Sequence, residues 1–139
     1  MEKEKILIVD DESRMRKLIR DFLEKDGYTV LEAADGVEAM ELFYADKQIS
    51  LVILDVMMPR MEGWKVCKEI RKNSKVPIMM LSALTEERDE LKGFELGVDE
   101  YVAKPFRPNV LVARVGALLK RAKNSVEEAA LNAGGIILD

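Results

Sequence analysis

An open, doubly wound α/β domain with five parallel strands is the fold class that this sequence predicts. Short apolar runs rich in Val, Ile and Leu alternate with segments of helical periodicity. The stretches joining successive runs are long enough for crossovers, which makes the strands parallel. The first, third and fourth runs are apolar at nearly every position, as in strands covered on both faces. Right-handed crossovers then give a (βα)5 sheet with helices on each side.

"KILIV" (5–9) is the first strand. Met15, Leu18, Ile19, Phe22 and Leu23 follow at the spacing of one helix face, and Gly27 stands where a left-handed residue ends that helix. "YTVLEA" (28–33) is the second strand, and Val37, Met40 and Phe43 line one side of the helix after Asp35-Gly36. "LVILD" (51–55) is the third strand and ends on an acid; Val66, Cys67 and Ile70 mark the next helix. "VPIMML" (76–81) is the fourth strand, followed by a helix through Leu91, Phe94 and Val98 with Gly97 near its end. "EYVAK" (100–104) is the fifth strand. Pro108 then suits the first position of a helix packed through Leu111, Val115 and Leu118. Cys67 is expected in the core, Met79-Met80 in strand packing, and Trp64 partly exposed on its helix.

Beyond Arg121 the periodicity stops. "AKNSVEEAALNAGG" reads as a linker by composition, and the terminal "IILD" as the opening of another strand. The chain thus divides into a domain over 1–122 and a segment over 123–139.

The 139 residues fit one domain and a short tail. A net charge of -4 argues against a direct grip on nucleic acid, which wants a basic face. The single cysteine rules out an internal disulfide, and the lack of histidine removes imidazole from every catalytic or zinc hypothesis. The first apolar run is too short and too closely flanked by acids for a signal peptide or a membrane span. A cytoplasmic domain without membrane association is expected.

In an open α/β sheet, ligands bind outside the carboxyl ends of the strands. Those ends carry Asp10, Asp11 and Glu12, then Asp55, Ser82 and Lys104. Each alone has a commoner structural use: acids and serine cap helices, and a lysine before proline sits in a solvated loop. Together on one rim they point to a site. Carboxylates about 4 Å apart repel by roughly 4 kcal/mol at an effective dielectric near 20, so such a cluster needs a shared proton or a cation. With oxygen donors only, the cation that fits is hard: Mg2+, or Mn2+ in its place. Magnesium leaves room for phosphate oxygens, and a carboxylate can attack phosphorus to give an aspartyl phosphate.

At these residues the sequence resembles the receiver domain of bacterial two-component response regulators. "ILIVDDE", "LVILDVMMPRMEGWKVCKEIR", "VPIMMLSA", "GFELGVDEYVAKPF" and "LVARVGALLKR" match its pattern in order and spacing over residues 4–122. The last two motifs resemble the subfamily whose receiver precedes a winged-helix DNA-binding domain, and "GGIILD" looks like the start of that effector. The resemblance implies a flavodoxin-like sheet of strand order 2-1-3-4-5. It also implies a signalling domain rather than an enzyme, one that assists its own phosphorylation and slow dephosphorylation.

By position, Asp55 would accept the phosphoryl group from a sensor histidine kinase. Asp11, Asp55 and the Met57 backbone carbonyl would bind Mg2+, with Asp10 acting through water. Lys104 would neutralise the phosphoryl group, and the Lys104–Pro105 peptide would be cis. Ser82 and Tyr101 would be the switch pair, biasing the face of the fourth helix, fifth strand and fifth helix, through which a homodimer would form. DNA would be read only through an effector domain absent from this chain.

Two departures bear on this. Glu90 and Val110 occupy positions where the subfamily often pairs a base with an acid across its dimer, although Asp99 or Glu100 with Arg114 remains available. Met57 and Leu84 are apolar beside the expected path of water, which predicts slow self-dephosphorylation. Kinase choice is expected on the first helix, where Ser13, Arg14, Met15 and Lys17 are candidates. A magnesium phosphohydrolase is the enzymatic alternative, but there the nucleophile usually follows the first strand and a substrate cap is inserted. A nucleotide binder would not place Asp10-Asp11-Glu12 against phosphate. A degenerate receiver would not keep all five of Asp10, Asp11, Asp55, Ser82 and Lys104.

Overall fold

A computed structural model describes residues 4–56, 62–82 and 97–138, with side chains described through residue 124. The strands are β1 (Lys5–Val9), β2 (Thr29–Ala33), β3 (Ile49–Asp55), β4 (Ile78–Ser82) and β5 (Glu100–Ala103). They form one sheet in the order β2-β1-β3-β4-β5, and every adjacent pair is parallel. The helices are α1 (Ser13–Lys25), α2 (Gly36–Ala45), α3 (Gly63–Arg71) and a last helix, Pro108–Leu138. The helix expected through Leu91 and Phe94 lies outside the described residues.

Strict alternation explains the unbroken apolar runs. Ile6, Ile8, Leu51, Ile53, Met79, Leu81 and Val102 point to one face, where they meet Ile19 and Leu23 of α1 and Leu111, Val115 and Leu118 of the last helix. Leu7, Val9, Val52, Leu54, Ile78 and Met80 point to the other, against Ala39 and Met40 of α2 and Val66, Cys67 and Ile70 of α3. Both faces are covered along the middle of the sheet, so β1, β3 and β4 stay apolar from Ile6 to Val9, Leu51 to Leu54 and Ile78 to Leu81.

The helix ends follow from local chemistry. Gly27 takes φ 98° after α1, as its position predicts. Asp35 caps α2: its Oδ1 accepts from the Glu38 amide at 2.9 Å, and Glu38 Oε1 accepts from the Ala34 amide at 2.8 Å. The last helix starts at Pro108.

Several expectations are corrected. β3 starts two residues before Leu51, because Ser50 interrupts the apolar run without interrupting the strand. That serine is the extra residue where the β1–β3 register shifts, from Lys5↔Ile49 to Ile6↔Leu51. Trp64 is buried, only 7% exposed, because α3 turns its first residues into the core beside Val66 and Cys67. Leu18 and Phe22 are 40% and 37% exposed, since the apolar stripe of α1 is wider than the part of it that the sheet covers. The last helix continues through residues 123–138, where a linker and a strand opening were expected. Ala, Glu and Leu in "SVEEAALNA" are strong helix formers, and the helix carries on through them.

Candidate functional site

The carboxyl ends of β1, β3, β4 and β5 meet at one rim, and register decides which side chains gather there. Val9 pairs with Leu54, Asp55 with Leu81, and Ser82 with Ala103. Asp10 continues the parity of Ile6 and Ile8, Asp55 that of Leu51 and Ile53, and Lys104 that of Val102. The alternation that builds one half of the core thus delivers two acids and a lysine to a common place.

Lys104 Nζ stands 3.3 Å from Asp55 Oδ2 and 3.5 Å from Asp10 Oδ2. Oxygens of Asp10, Asp11 and Asp55 all lie within 4.8 Å of one another, with Asp10 and Asp55 buried and Asp11 exposed. Ser82 is buried at the end of β4, and its backbone carbonyl accepts from the Lys104 amide at 2.7 Å. Tyr101, half-buried, packs against the cluster that contains Met80 and Val98. The Lys104–Pro105 peptide is cis. Met57, Leu84 and Glu90, named on sequence grounds, lie outside the described residues.

Asp10 is the most constrained of these acids. Its amide donates to Ala33 O at 3.1 Å, and its Oδ1 accepts from the Glu12 amide at 2.8 Å. Its Oδ2 is buried with no hydrogen-bond partner among the described residues. Burial pushes this carboxyl above the ordinary aspartate range, and the charges of Asp55 and Asp11 add to the rise. The Glu12 amide and Lys104 oppose that rise without cancelling it. Burial also works against the Lys104 ammonium, but the fields of Asp10 and Asp55 outweigh it and hold lysine above its usual value. The acids do not cap α1, whose N-cap residue is Glu12 with no side-chain cap bond.

Two residues at the site escaped sequence reasoning. Arg16 Nη1 donates to the Asp10 backbone carbonyl at 2.6 Å. Its charge on the polar side of an amphipathic helix reads as a solvated surface group, and only its place in the first turn after the acidic pair hints otherwise. Gly63 opens α3 directly against the Asp55 backbone carbonyl, where any Cβ would collide, and its amide donates to Val56 O at 3.0 Å. A lone glycine at a helix start carries no signal of that approach. Among the described residues, no helix is long and apolar enough to cross a membrane.

Comparison with known proteins accords with this geometry. Residues 6–116 match the response regulator receiver domain family model. The chain is similar to the probable transcriptional regulator ycf27 of Guillardia theta, at 49% identity over 97% of the chain and 53% of that protein. It is 46% identical to the transcriptional regulatory protein ResD of Bacillus subtilis over 87% of the chain and 50% of that protein. The chain therefore spans about half the length of the curated relatives it matches. Among solved structures, the receiver domain of the Francisella response regulator 1452 superposes with a TM-score of 0.82 at 33% identity. That match covers 86% of this chain and 99% of the other. Vibrio cholerae CheY4 gives a TM-score of 0.78 at 32% identity, covering 83% and 98%. With a rim of acids and lysine set by register, a family match over most of its length and close structural likeness, the chain belongs to the response regulator receiver domain family.

Proposed function

We propose that this domain accepts a phosphoryl group on Asp55 from a sensor histidine kinase and passes the resulting change to an attached effector. The observation that carries the reading is Lys104 Nζ within 3.5 Å of both Asp55 and Asp10 while Asp11 completes an all-oxygen cluster. Asp55 attacks the phosphorus of a phosphohistidine; a P–O bond forms, the P–N bond breaks, and its electron pair returns to the imidazole. Lys104 neutralises charge on the transferred group, and the Ser82 hydroxyl donates to one of its oxygens. Such transfer depends on positioning and charge compensation rather than on covalent help from other residues.

The donor set fits a hard divalent cation, Mg2+ or Mn2+. Among the described residues the cluster offers carboxylate oxygens, and Asp10 Oδ2, 3.5 Å from Lys104 Nζ but without a hydrogen bond among those residues, is a place for a bound water. Asp11, Asp55 and the Met57 carbonyl would hold the ion, with Asp10 acting through water. The ion supplies charge neutralisation that lets phosphate approach the acids. The role of Ser82 and Tyr101 is that of a switch pair which biases the β5 and last-helix face.

The ycf27 and ResD proteins carry names of transcriptional regulators. That supports a reading in which a winged-helix DNA-binding domain completes the protein and DNA is contacted only there. Homodimerisation through the switch face is part of the same proposal. Within the chain Arg114 Nη1 stands 3.4 Å from Glu100 Oε1, while Asp99 is held by Arg71 at 2.7 Å. These contacts support Glu100, rather than Asp99, as the acid that would exchange partners across a dimer. The kinase meets α1, where Leu18 and Phe22 are exposed. Slow phosphoryl loss is part of the proposal, since Met57 and Leu84 are apolar, and Leu84→Glu is expected to shorten the acyl-phosphate lifetime.

Incubation with acetyl phosphate and Mg2+, followed by intact-mass measurement, tests the central claim. One added phosphoryl group, lost in Asp55→Asn and suppressed by chelator, is the expected result. No mass gain with Mg2+ present, or the same gain in Asp55→Asn, overturns it.

A further inference from the structure

We propose that Arg16 is a positioning residue for the acidic site, a strut from α1, anchored on Glu32 of β2, that fixes Asp10 through its backbone carbonyl. The inference rests on the phosphoacceptor reading above and deepens it. Arg16 Nη1 donates to Asp10 O at 2.6 Å, and Arg16 Nε donates to Glu32 Oε1 at 3.1 Å. Glu32 lies in β2 in direct register with Ile8 of β1, so the guanidinium is anchored on the sheet beside the strand it serves. The other Glu32 oxygen accepts from Arg20 Nη1 at 2.7 Å, which holds the carboxylate from a second side.

The outcome is an Asp10 fixed at three points: its amide to Ala33, its Oδ1 to the Glu12 amide, and its carbonyl to Arg16. Its Oδ2 alone is left for the site. Glu32 offsets part of the guanidinium charge, and the contact to Asp10 is to its backbone carbonyl, so the contribution of Arg16 to the rim is geometric more than electrostatic. The Arg16 side chain is 17% exposed, so its bond to the carbonyl is largely shielded from competing water. A planar fork makes both contacts at once, which a single ammonium does less well. Asp10 stands behind the ion through water, and loss of such supporting groups typically weakens a metal by about 10- to 100-fold, so a strut one step further out is expected at the low end.

The test is Mn2+ binding by the full chain, read from the electron paramagnetic resonance of free Mn2+. Arg16→Met is expected to weaken binding about 10-fold, and Arg16→Lys to weaken it less. In an Asp10→Asn background, Arg16→Met should weaken binding clearly less than in the wild type, since the strut acts chiefly by orienting the Asp10 carboxylate. Wild-type affinity in Arg16→Met, or an equal loss in the Asp10→Asn background, overturns the proposal. If Arg16→Met does not fold, Glu32→Gln releases the same anchor, and its loss of affinity must likewise shrink in the Asp10→Asn background. A wild-type chain that binds no Mn2+ and takes up no phosphoryl group overturns the receiver chemistry itself, and the strut with it.

Discussion

The Lys104 ammonium stands 3.3 Å from Asp55 Oδ2, and the backbone amide of the same lysine is tied to Ser82 at 2.7 Å. Its head group is therefore placed by the β4–β5 pairing as well as by charge. Replacing it removes a positive charge from a rim where three carboxylates converge. Lys104→Ala is expected to slow phosphorylation by acetyl phosphate about 100-fold, the scale for losing one preorganised electrostatic contact. A time course of intact mass reads the rate, and circular dichroism checks that the fold survives.

Asp10 sets a pH dependence whose sign is fixed by its burial. Its carboxyl titrates above the ordinary value of 3.8 in the folded domain, so between the two values the folded state holds more protons than the unfolded chain. The cation-free domain therefore loses stability as pH rises through that window. Asp46 acts oppositely: a hydrogen bond from Lys5 holds it low, and its contribution is full above 3.8 and lost as pH falls through its folded value. Asp10→Asn should raise the cation-free stability at neutral pH by on the order of 1 kcal/mol. It should also weaken Mg2+. Urea unfolding with and without Mg2+ measures both effects. Cation affinity in the wild type should fall on acidification through the raised Asp10 value.

Arg71 closes the end of α3 onto two neighbouring segments. It donates to Gly97 O at 2.9 Å, Ser74 O at 3.3 Å, Val76 O at 2.7 Å and Asp99 Oδ2 at 2.7 Å. The same Asp99 oxygen accepts from the Ile78 amide at 2.9 Å, so the clamp also registers the start of β4. Arg71→Met is expected to cost about 2–3 kcal/mol in urea unfolding. Gly97 has φ 88°, and a Cβ there would stand 2.9 Å from Arg71 Nε. Gly97→Ala should thus cost about 1–2 kcal/mol for the backbone alone, with further loss from the displaced guanidinium.

Cys67 is fully buried on α3, and burial pushes its thiol above the usual cysteine range. As the chain's single cysteine, it should stay unreactive toward a thiol reagent until the domain opens. Labelling should track global unfolding measured by circular dichroism. Rapid labelling under native conditions would count against this packing.

The strands were legible because both sheet faces are covered, which leaves a continuous apolar signature from Ile6 to Val9 and from Leu51 to Leu54. The rim was legible too, since Asp10 and Asp55 end those two runs and Lys104 follows β5. What escaped was the support behind them. Arg16, Glu32 and Arg71 are charged residues at half-buried positions, and sequence alone does not separate a strut from a solvated face. Trp64 was misjudged because a short helix gives too few turns to fix its buried side. The length of the last helix was missed because small and polar residues resemble a linker until neighbouring turns make them helical.

The register shift at Ser50 has a consequence for how this domain tolerates change in chain length. A strand that already carries one extra residue near its start can absorb a further insertion or deletion there by moving the irregularity. Between Leu51 and Asp55 no such slack exists, for a slip of one residue would present Leu54 or Val56 at the rim and turn the core inside out. Length variation among related chains should therefore collect upstream of Leu51 in β3, and the five residues from there to Asp55 should behave as a fixed ruler.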